Sequence, residues 1–428
     1  VFDCATRSKP LSTTRHSVWG NEPTVCYTRP TRRRGLHVVQ IYKDYDPVVG
    51  GIENHVKILA SGLAERGHDV TVLVTNIGRA TVRERRDGVE VIKAGRLLAV
   101  ASTPISVGLL REARSLKADV VNLHMPYPPG DLAARAVGGA PPLVATYHSD
   151  IVRQQRLLKL YRPLLQATLR RASRIIATSG PYIESSPFLR PLETKCRVVP
   201  LSVDAARFAS AAPRQVAALR RRWARSADDC VVLSVGVLRY YKGLHFLLDA
   251  MAQIDATLVV VGQGPEERRL KDLAQAFGIA RRVHFVGHVP DEQLSAYYHA
   301  ADLFVLPSHL RSEAFGVVQL EAMAAGLPVI STALGTGTSV VNQHGTTGFV
   351  VPPSDGQAIA RSIEVLLANP ELRRSLGDNG RRRVEQEYTH QRMVERTEAV
   401  YREAIGTARR SAPAGVKEGQ DATGLRRA

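Results

Sequence analysis

Two carboxylates, Glu313 and Glu321, stand eight positions apart in the stretch 312–330, SEAFGVVQLEAMAAGLPVI. Phe315 and Gly316 separate the first from a helical pattern over 317–325, which closes at Gly326 with Pro328 beyond. A glycine stop followed by a proline is ordinary punctuation for a helix end. Were the segment helical throughout, eight residues would span roughly 12 Å. Two acids that far apart can hold both ends of an elongated polar ligand. Glu321 suits the vicinal hydroxyls of a ribose, and Glu313 suits a second sugar. Gly316, with no side chain, lets backbone N–H groups near Val317 approach an anion.

Fixed positive charge stands in the loop Gly236-Val-Leu-Arg239-Tyr-Tyr-Lys242-Gly243, which follows an apolar strand pattern. Arg239 and Lys242 are suited to a leaving diphosphate, whose negative charge grows as it departs. Gly262-Gln-Gly264 is a fragment of a dinucleotide fingerprint. Gly287-His288-Val289 ends another strand, where backbone groups can read a base. Gly50-Gly51 opens a helix after the first strand and suits close approach of a phosphate. Asp44-Tyr-Asp46 matches a metal-binding D-x-D string, but it lies in the other half from the basic loop. It is read as chance.

Short apolar strands separated by helical patterns position these residues. The first half reads as strands over 36–42, 70–75, 118–123, 143–147, 175–178 and 198–201. A helix from Gly51 buries Ile52, Val56, Leu59, Ala60 and Leu63 and stops at Gly67. His124 and His148 stand at strand ends, where ligands of open α/β sheets gather. His124, with Ser149 and Asp150, is an acceptor-side candidate. The second half repeats the pattern, with strands over 230–235, 258–261, 283–289, 303–306, 328–332 and 349–351. The fold class is therefore α/β, two doubly wound parallel-sheet arrays facing across a cleft. The expected layout is a disordered extension over 1–34, a first domain over 35–203 and a second over 204–384, linked near 200–212. A C-terminal helix over 385–405 then crosses back, and 406–428 is a disordered tail. The last helical stretch is expected to break at Asn369-Pro370 and at Gly380.

The segment 151–175 carries seven basic residues, no acid, and interleaved leucines. Such a pattern suits an anionic membrane surface, with two helices expected on either side of Pro163. The 428 residues carry a formal net charge of +18, so an anionic partner of some kind is expected. A nucleic-acid-binding protein is one alternative, but no helix-turn-helix, RNP, KH or finger pattern supports it. No apolar run is long enough to span a membrane. Residues 1–34 contain no apolar signal core. The four cysteines form no C-x-x-C, so neither zinc nor a disulfide framework is expected.

Taken together, these stretches resemble glycosyltransferase family 4, whose members are retaining nucleotide-sugar transferases of the GT-B fold. The likeness rests on the E-x7-E of Glu313 and Glu321, on 236–243, and on Leu334-Gly-Thr-Gly-Thr-Ser339. Thr146-Tyr-His148-Ser-Asp150 and Val48-Val-Gly50-Gly51-Ile-Glu53 extend it over about 36–405. It is greatest to members that add mannose or related sugars to bacterial surface polysaccharides. The resemblance implies a GDP- or UDP-linked donor, a lipid-linked saccharide acceptor, no metal, and attachment to the inner face of the cytoplasmic membrane. It places His148 at the reaction centre and gives the acceptor proton to the donor phosphate. Many members carry an arginine where this chain has Val237, and Arg239 would take that role. A sugar phosphorylase or nucleotide-sugar epimerase on the same fold is the enzymatic alternative.

Overall fold

The computed structural model describes residues 35–411 apart from 49, 101–102, 152–154 and 227–228. The first half is an eight-stranded sheet. Its strands are β1 (His37–Ile41), β2 (Asp69–Thr75), β3 (Val82–Arg86), β4 (Val89–Ala94), β7 (Val120–Met125), β8 (Leu143–Tyr147), β9 (Arg174–Ala177) and β10 (Cys196–Val198). A separate hairpin pairs β5 (Leu98–Val100) with β6 (Thr103–Ile105). The sheet order is β10-β9-β8-β7-β1-β2-β4-β3, parallel except for the β3–β4 edge. The second half is a six-stranded parallel sheet of β11 (Val231–Val235), β12 (Thr257–Val261), β13 (Val283–Gly287), β14 (Leu303–Leu306), β15 (Val329–Thr332) and β16 (Gly348–Val351). Its order is β13-β12-β11-β14-β15-β16. Both sheets bury apolar side chains on both faces, as parallel sheets under helices must.

The chain passes between the halves twice, and the two passages lie side by side. Val203 forms a parallel bridge with Thr389, and its N–H donates to the Tyr388 carbonyl at 2.9 Å. The helix His390–Ser411 then returns to the first half and packs on the helix Gly51–Glu65. Met393, Val394, Val400 and Tyr401 complete the core on that face. Ion pairs frame the contact, with Arg66 Nε 2.8 Å and His68 Nε2 3.5 Å from Glu398, and Arg197 and Arg174 on Glu403.

Several expected boundaries move. Pro163 does not divide its segment: one helix runs Gln155–Arg171 with Pro163 inside it. The proline lies on the exposed side, where water can take the carbonyl that its missing N–H leaves free. Gly380 does not break the helix Pro370–Glu387. It is the point of close approach to the helix Val318–Ala324, where an added Cβ would lie 3.1 Å from Met323 Cγ. The chain turns instead between Glu387 and His390. The last helix continues past Gly406 to Ser411, so the expected tail begins too early. β7 ends at Met125, which places His124 inside the strand rather than beyond it.

Glu398 supplies a pH test of the returning helix. Burial works against its charge, but Arg66, Arg402 and His68 outweigh burial and hold its carboxyl down at about 2. A depressed carboxylate contributes stability above its unfolded pKa and loses it as pH falls toward the folded value. Glu398→Gln should therefore cost about 1 kcal/mol at pH 7, a figure kept small by solvent screening. The gap from the parent should close as pH drops from about 4.5 toward 2. Urea denaturation at stepped pH checks this, and a gap that widens in acid contradicts it.

Candidate active site

The second sheet gathers its site at the carboxyl ends of β11, β12, β13 and β14. Gly236, Gly262 and Gly287 follow or end three neighbouring strands there. The Gly262 N–H donates to the Gly287 carbonyl at 2.8 Å. Gly262 has φ +128°, and a Cβ on it would fall 2.1 Å from the Gly236 carbonyl oxygen. Only glycine permits that approach. Gly316 has φ +75°, and a Cβ there would meet Leu306 Cδ2 at 2.7 Å. Backbone, not side chain, thus forms much of this end of the sheet.

Lys242 and Glu313 meet in it. Lys242 Nζ lies 2.6 Å from Glu313 Oε2, with their side chains only 13% and 11% exposed. Ser308 Oγ donates to the same carboxylate oxygen at 3.1 Å. The Glu313 loop is fixed from behind: Thr336 Oγ1 donates to the Glu313 carbonyl at 2.9 Å and the Gly337 N–H to the Ala314 carbonyl at 2.8 Å. Burial works against the Lys242 ammonium, but Glu313, Tyr241 and Glu321 outweigh it and hold the lysine above its usual pKa. Glu321, in the helix Val318–Ala324, accepts from the Tyr298 hydroxyl at 2.7 Å. Its carboxyl is raised, chiefly by burial, with Tyr298 and Lys242 opposing. The lysine therefore senses both carboxylates of the pair.

Other expected residues divide into those with free groups and those built into the core. Arg239, Val237 and His288 are exposed on the same loops. Phe315 and Val289 are buried apolar side chains, so only their backbones are available to a ligand. Val317 packs partly against the same core. Gly50 precedes the helix Gly51–Glu65, and a Cβ on it would meet Glu53 Oε2 at 2.1 Å. Gly51 is exposed with open space around it. The D-x-D acids are already paired, Asp44 with Arg96 at 2.6 Å and Asp46 with Lys57 at 3.1 Å.

Across from this site, the first half presents a group of rings. His124 Nδ1 lies 3.0 Å from His148 Nε2. His55, from the Gly51–Glu65 helix, stands edge-on to both. All three are buried, and desolvation pushes each imidazole below its usual pKa, so they are neutral near pH 7. Among the described residues, this trio is the one group whose ligand atoms could surround a metal. Sequence reasoning missed His55, although its place on the buried face of an apolar helix was a signal. Ser149 is half-buried beside His148. Asp150 is committed elsewhere: Tyr147 and Ser186 donate to its Oδ1 at 2.9 and 2.8 Å, and Arg311 reaches its Oδ2 at 3.1 Å from the other half. With Ser185 Oγ donating to the Gly335 carbonyl at 2.7 Å, that ion pair ties the two halves together beside the cleft.

Comparison with known proteins agrees with this geometry. Residues 49–207 match the family described as Glycosyltransferase Family 4, and residues 215–383 match Glycosyl transferases group 1. The chain is 40% identical to the D-rhamnosyltransferase WbpZ of Pseudomonas aeruginosa, over 83% of this chain and 92% of that one. It is 36% identical to the O-antigen chain mannosyltransferase C of Escherichia coli, over 84% and 96%. Sucrose-phosphate synthase from Thermosynechococcus elongatus superposes with a TM-score of 0.72 at 26% identity, over 87% and 99%. These likenesses favour neither the phosphorylase or epimerase reading nor a nucleic-acid-binding protein. Two parallel sheets, a lysine–carboxylate pair at the strand ends of the second, and relatives matched over nearly their whole length have one meaning: the chain belongs to the family-4 glycosyltransferases and has their GT-B fold.

Proposed function

We propose that the chain is a retaining, metal-independent transferase that moves a mannose-class hexose from a GDP- or UDP-linked donor to a lipid-linked or polysaccharide acceptor of the cell envelope. The observation that carries the reading is the Lys242 ammonium, held largely out of water against Glu313 near the carboxyl ends of β11 and β14, with the Glu321 charge also acting on it. A donor diphosphate is the anion that would draw this lysine off Glu313. Arg239, on the same loop, adds a second cation. Together they supply the charge a metal would otherwise bring to the leaving group. Glu321 faces the ribose hydroxyls, and Glu313, once released, faces the transferred sugar and steadies its developing positive charge. His148 lines the acceptor side, and the acceptor proton passes to the donor phosphate. The mannosyl and rhamnosyl relatives support the sugar class, since D-rhamnose is a deoxymannose. Incubation with a panel of nucleotide sugars and a lipid-linked acceptor tests the whole reading. Product anomers that invert the donor's configuration would overturn retention, and full activity after exhaustive chelation is expected.

A cytoplasmic, peripheral membrane association completes the proposal. No described helix is long and apolar enough to cross a membrane. The helix Gln155–Arg171 turns Tyr161, Leu165 and Leu169 into the core. Its outer side exposes Arg156, Lys159 and Arg162 with Leu157 and Leu160, the leucines 47% and 82% exposed. Arg153, part of the same basic run, lies outside the described residues. Each basic residue near an anionic surface contributes about 1 kcal/mol. Co-sedimentation with anionic vesicles should fall with salt and with Arg156, Lys159 and Arg162 all changed to Gln. Changing Leu157 and Leu160 to Ser should weaken the salt-resistant remainder. Binding indifferent to both sets of changes places the membrane elsewhere.

The carboxylate pair should separate in titrations with nucleoside diphosphate. Glu321→Ala should weaken binding of the free nucleotide, whereas Glu313→Ala should spare it and depress turnover. Equal losses contradict the division of roles.

Lys242→Ala should lower transfer by roughly 2.7–4 kcal/mol of barrier, as loss of a donor to a developing anion does. It should also destabilise the free enzyme by about 3 kcal/mol, because Glu313 is left largely buried without its cation. Adding Glu313→Gln should restore most of that stability and none of the activity. A double mutant as unstable as the single one contradicts the pairing.

A further inference from the structure

The first sheet carries a buried polar construction that the donor chemistry does not use. Strand side chains alternate between faces, so residues two apart share one. On that basis Gln40 of β1, Asn122 and His124 of β7, Thr146 of β8 and His148 just beyond it lie on a single face. The register agrees: Gln40 lies opposite Asn122, and His124 opposite Thr146. Their neighbours on this face are Val38, Val120 and Val144, under the helices Gly51–Glu65 and His390–Ser411. Polar groups sealed this way must satisfy one another.

With the Asn122 and Gln40 amides oriented as they are, the hydrogen bonds assign the protons. Thr146 Oγ1 donates to Asn122 Oδ1 at 2.8 Å, which turns the Asn122 amide nitrogen toward Gln40 Oε1, also at 2.8 Å. Gln40 Nε2 donates to the Tyr401 hydroxyl at 3.0 Å, and the Gln40 carbonyl oxygen is turned toward His124. That oxygen only accepts, and at 2.8 Å it lies nearer His124 Nε2 than the Asn122 amide nitrogen does at 3.2 Å, which assigns hydrogen to His124 Nε2. A neutral imidazole has one N–H, so His124 Nδ1 is a bare lone pair. His148 Nε2, 3.0 Å away, must donate to it. The two rings are only 15° from parallel with centroids 5.2 Å apart, too far for face-to-face contact and suited to a bond in the ring plane. His148 Nδ1 is left as a lone pair, with no hydrogen-bond partner among the described residues, on a side chain that is 6% exposed.

We propose that Gln40 is a positioning residue: it sets the tautomer of His124, His124 sets that of His148, and His148 thereby offers Nδ1 as a hydrogen-bond acceptor to a substrate hydroxyl. The substrate part rests on the function proposed above; the tautomer part does not. Tyr401 ties the relay to the C-terminal helix through its hydroxyl's bond to Gln40. The His55, His124 and His148 nitrogens lie close enough together to surround a metal, but in the relay His124 Nδ1 and His148 Nε2 are already engaged with one another.

Long-range proton–nitrogen correlation spectra of the full chain, with imidazole-labelled histidine, read the tautomers directly. His124→Gln and His148→Gln assign the resonances. The relay predicts a bare Nδ1 and a protonated Nε2 on both His124 and His148. A His148 protonated at Nδ1, or nitrogen shifts of metal-bound type that vanish with chelator, overturns it. Gln40→Met removes the acceptor and should mix the tautomers of both rings. It should lower kcat by roughly 10- to 100-fold, the size carried by partners that orient functional histidines in metal sites. The donor KM should not change. Gln40→Glu keeps an acceptor that Asn122, His124 and Tyr401 can all serve, and should recover the tautomers and most of the rate. Unchanged tautomers and kcat in Gln40→Met overturn the proposal. A chain with the expected tautomers that transfers no sugar keeps the relay and sinks the proposed function.

Discussion

A lysine ammonium taken out of water needs an anion beside it, and most of the site follows from how Lys242 meets that need. In the free chain the anion is Glu313, 2.6 Å away and itself largely buried. Removing either partner leaves the other charge exposed to a low dielectric. The pair is thus a closed arrangement that a better anion can open. In the exchange we propose, a diphosphate offers two charges and several oxygens against one carboxylate, and the Ser308 hydroxyl remains to hold the released Glu313.

The surrounding fold would keep the proposed exchange local. Glycines at the strand ends bring the Gly236 and Gly262 turns into backbone contact, so the site is walled by main chain whose positions the sheet fixes. The segment 334–339 holds the Glu313 loop through Thr336 and Gly337. The two sheets stay in relation because the chain crosses between them twice, at Val203 and Thr389, and because Asp150 and Arg311 pair across the cleft. Asp150 is thereby part of the frame rather than an open acceptor group.

Much of this was legible in the sequence. Each strand of the second sheet and the helix between Gly316 and Gly326 were readable from apolar runs and glycine punctuation, since local pattern and final burial agree there. The Lys242 and E-x7-E positions were legible as candidates, but not as partners. Their contact joins positions 242 and 313, and no periodicity spans that distance. Pro163 and Gly380 misled for a related reason. Each is a helix breaker by propensity, and tertiary setting decides otherwise: exposure in one case, close helix packing in the other. The polar stripe of Gln40, Asn122, His124 and Thr146 has strand period two, yet the strands around it read simply as buried. Which face it occupied, and that Tyr401 would cover it, depend on a helix at the far end of the chain.

The central claim is that Lys242 exchanges Glu313 for the donor's diphosphate. Calorimetric titration of the parent and of Lys242→Met, each with a nucleoside and with the matching nucleoside diphosphate, tests it most directly. The account predicts that the diphosphate's advantage in affinity over the nucleoside largely disappears in Lys242→Met, while nucleoside binding is unchanged. An advantage that persists undiminished in Lys242→Met would contradict it.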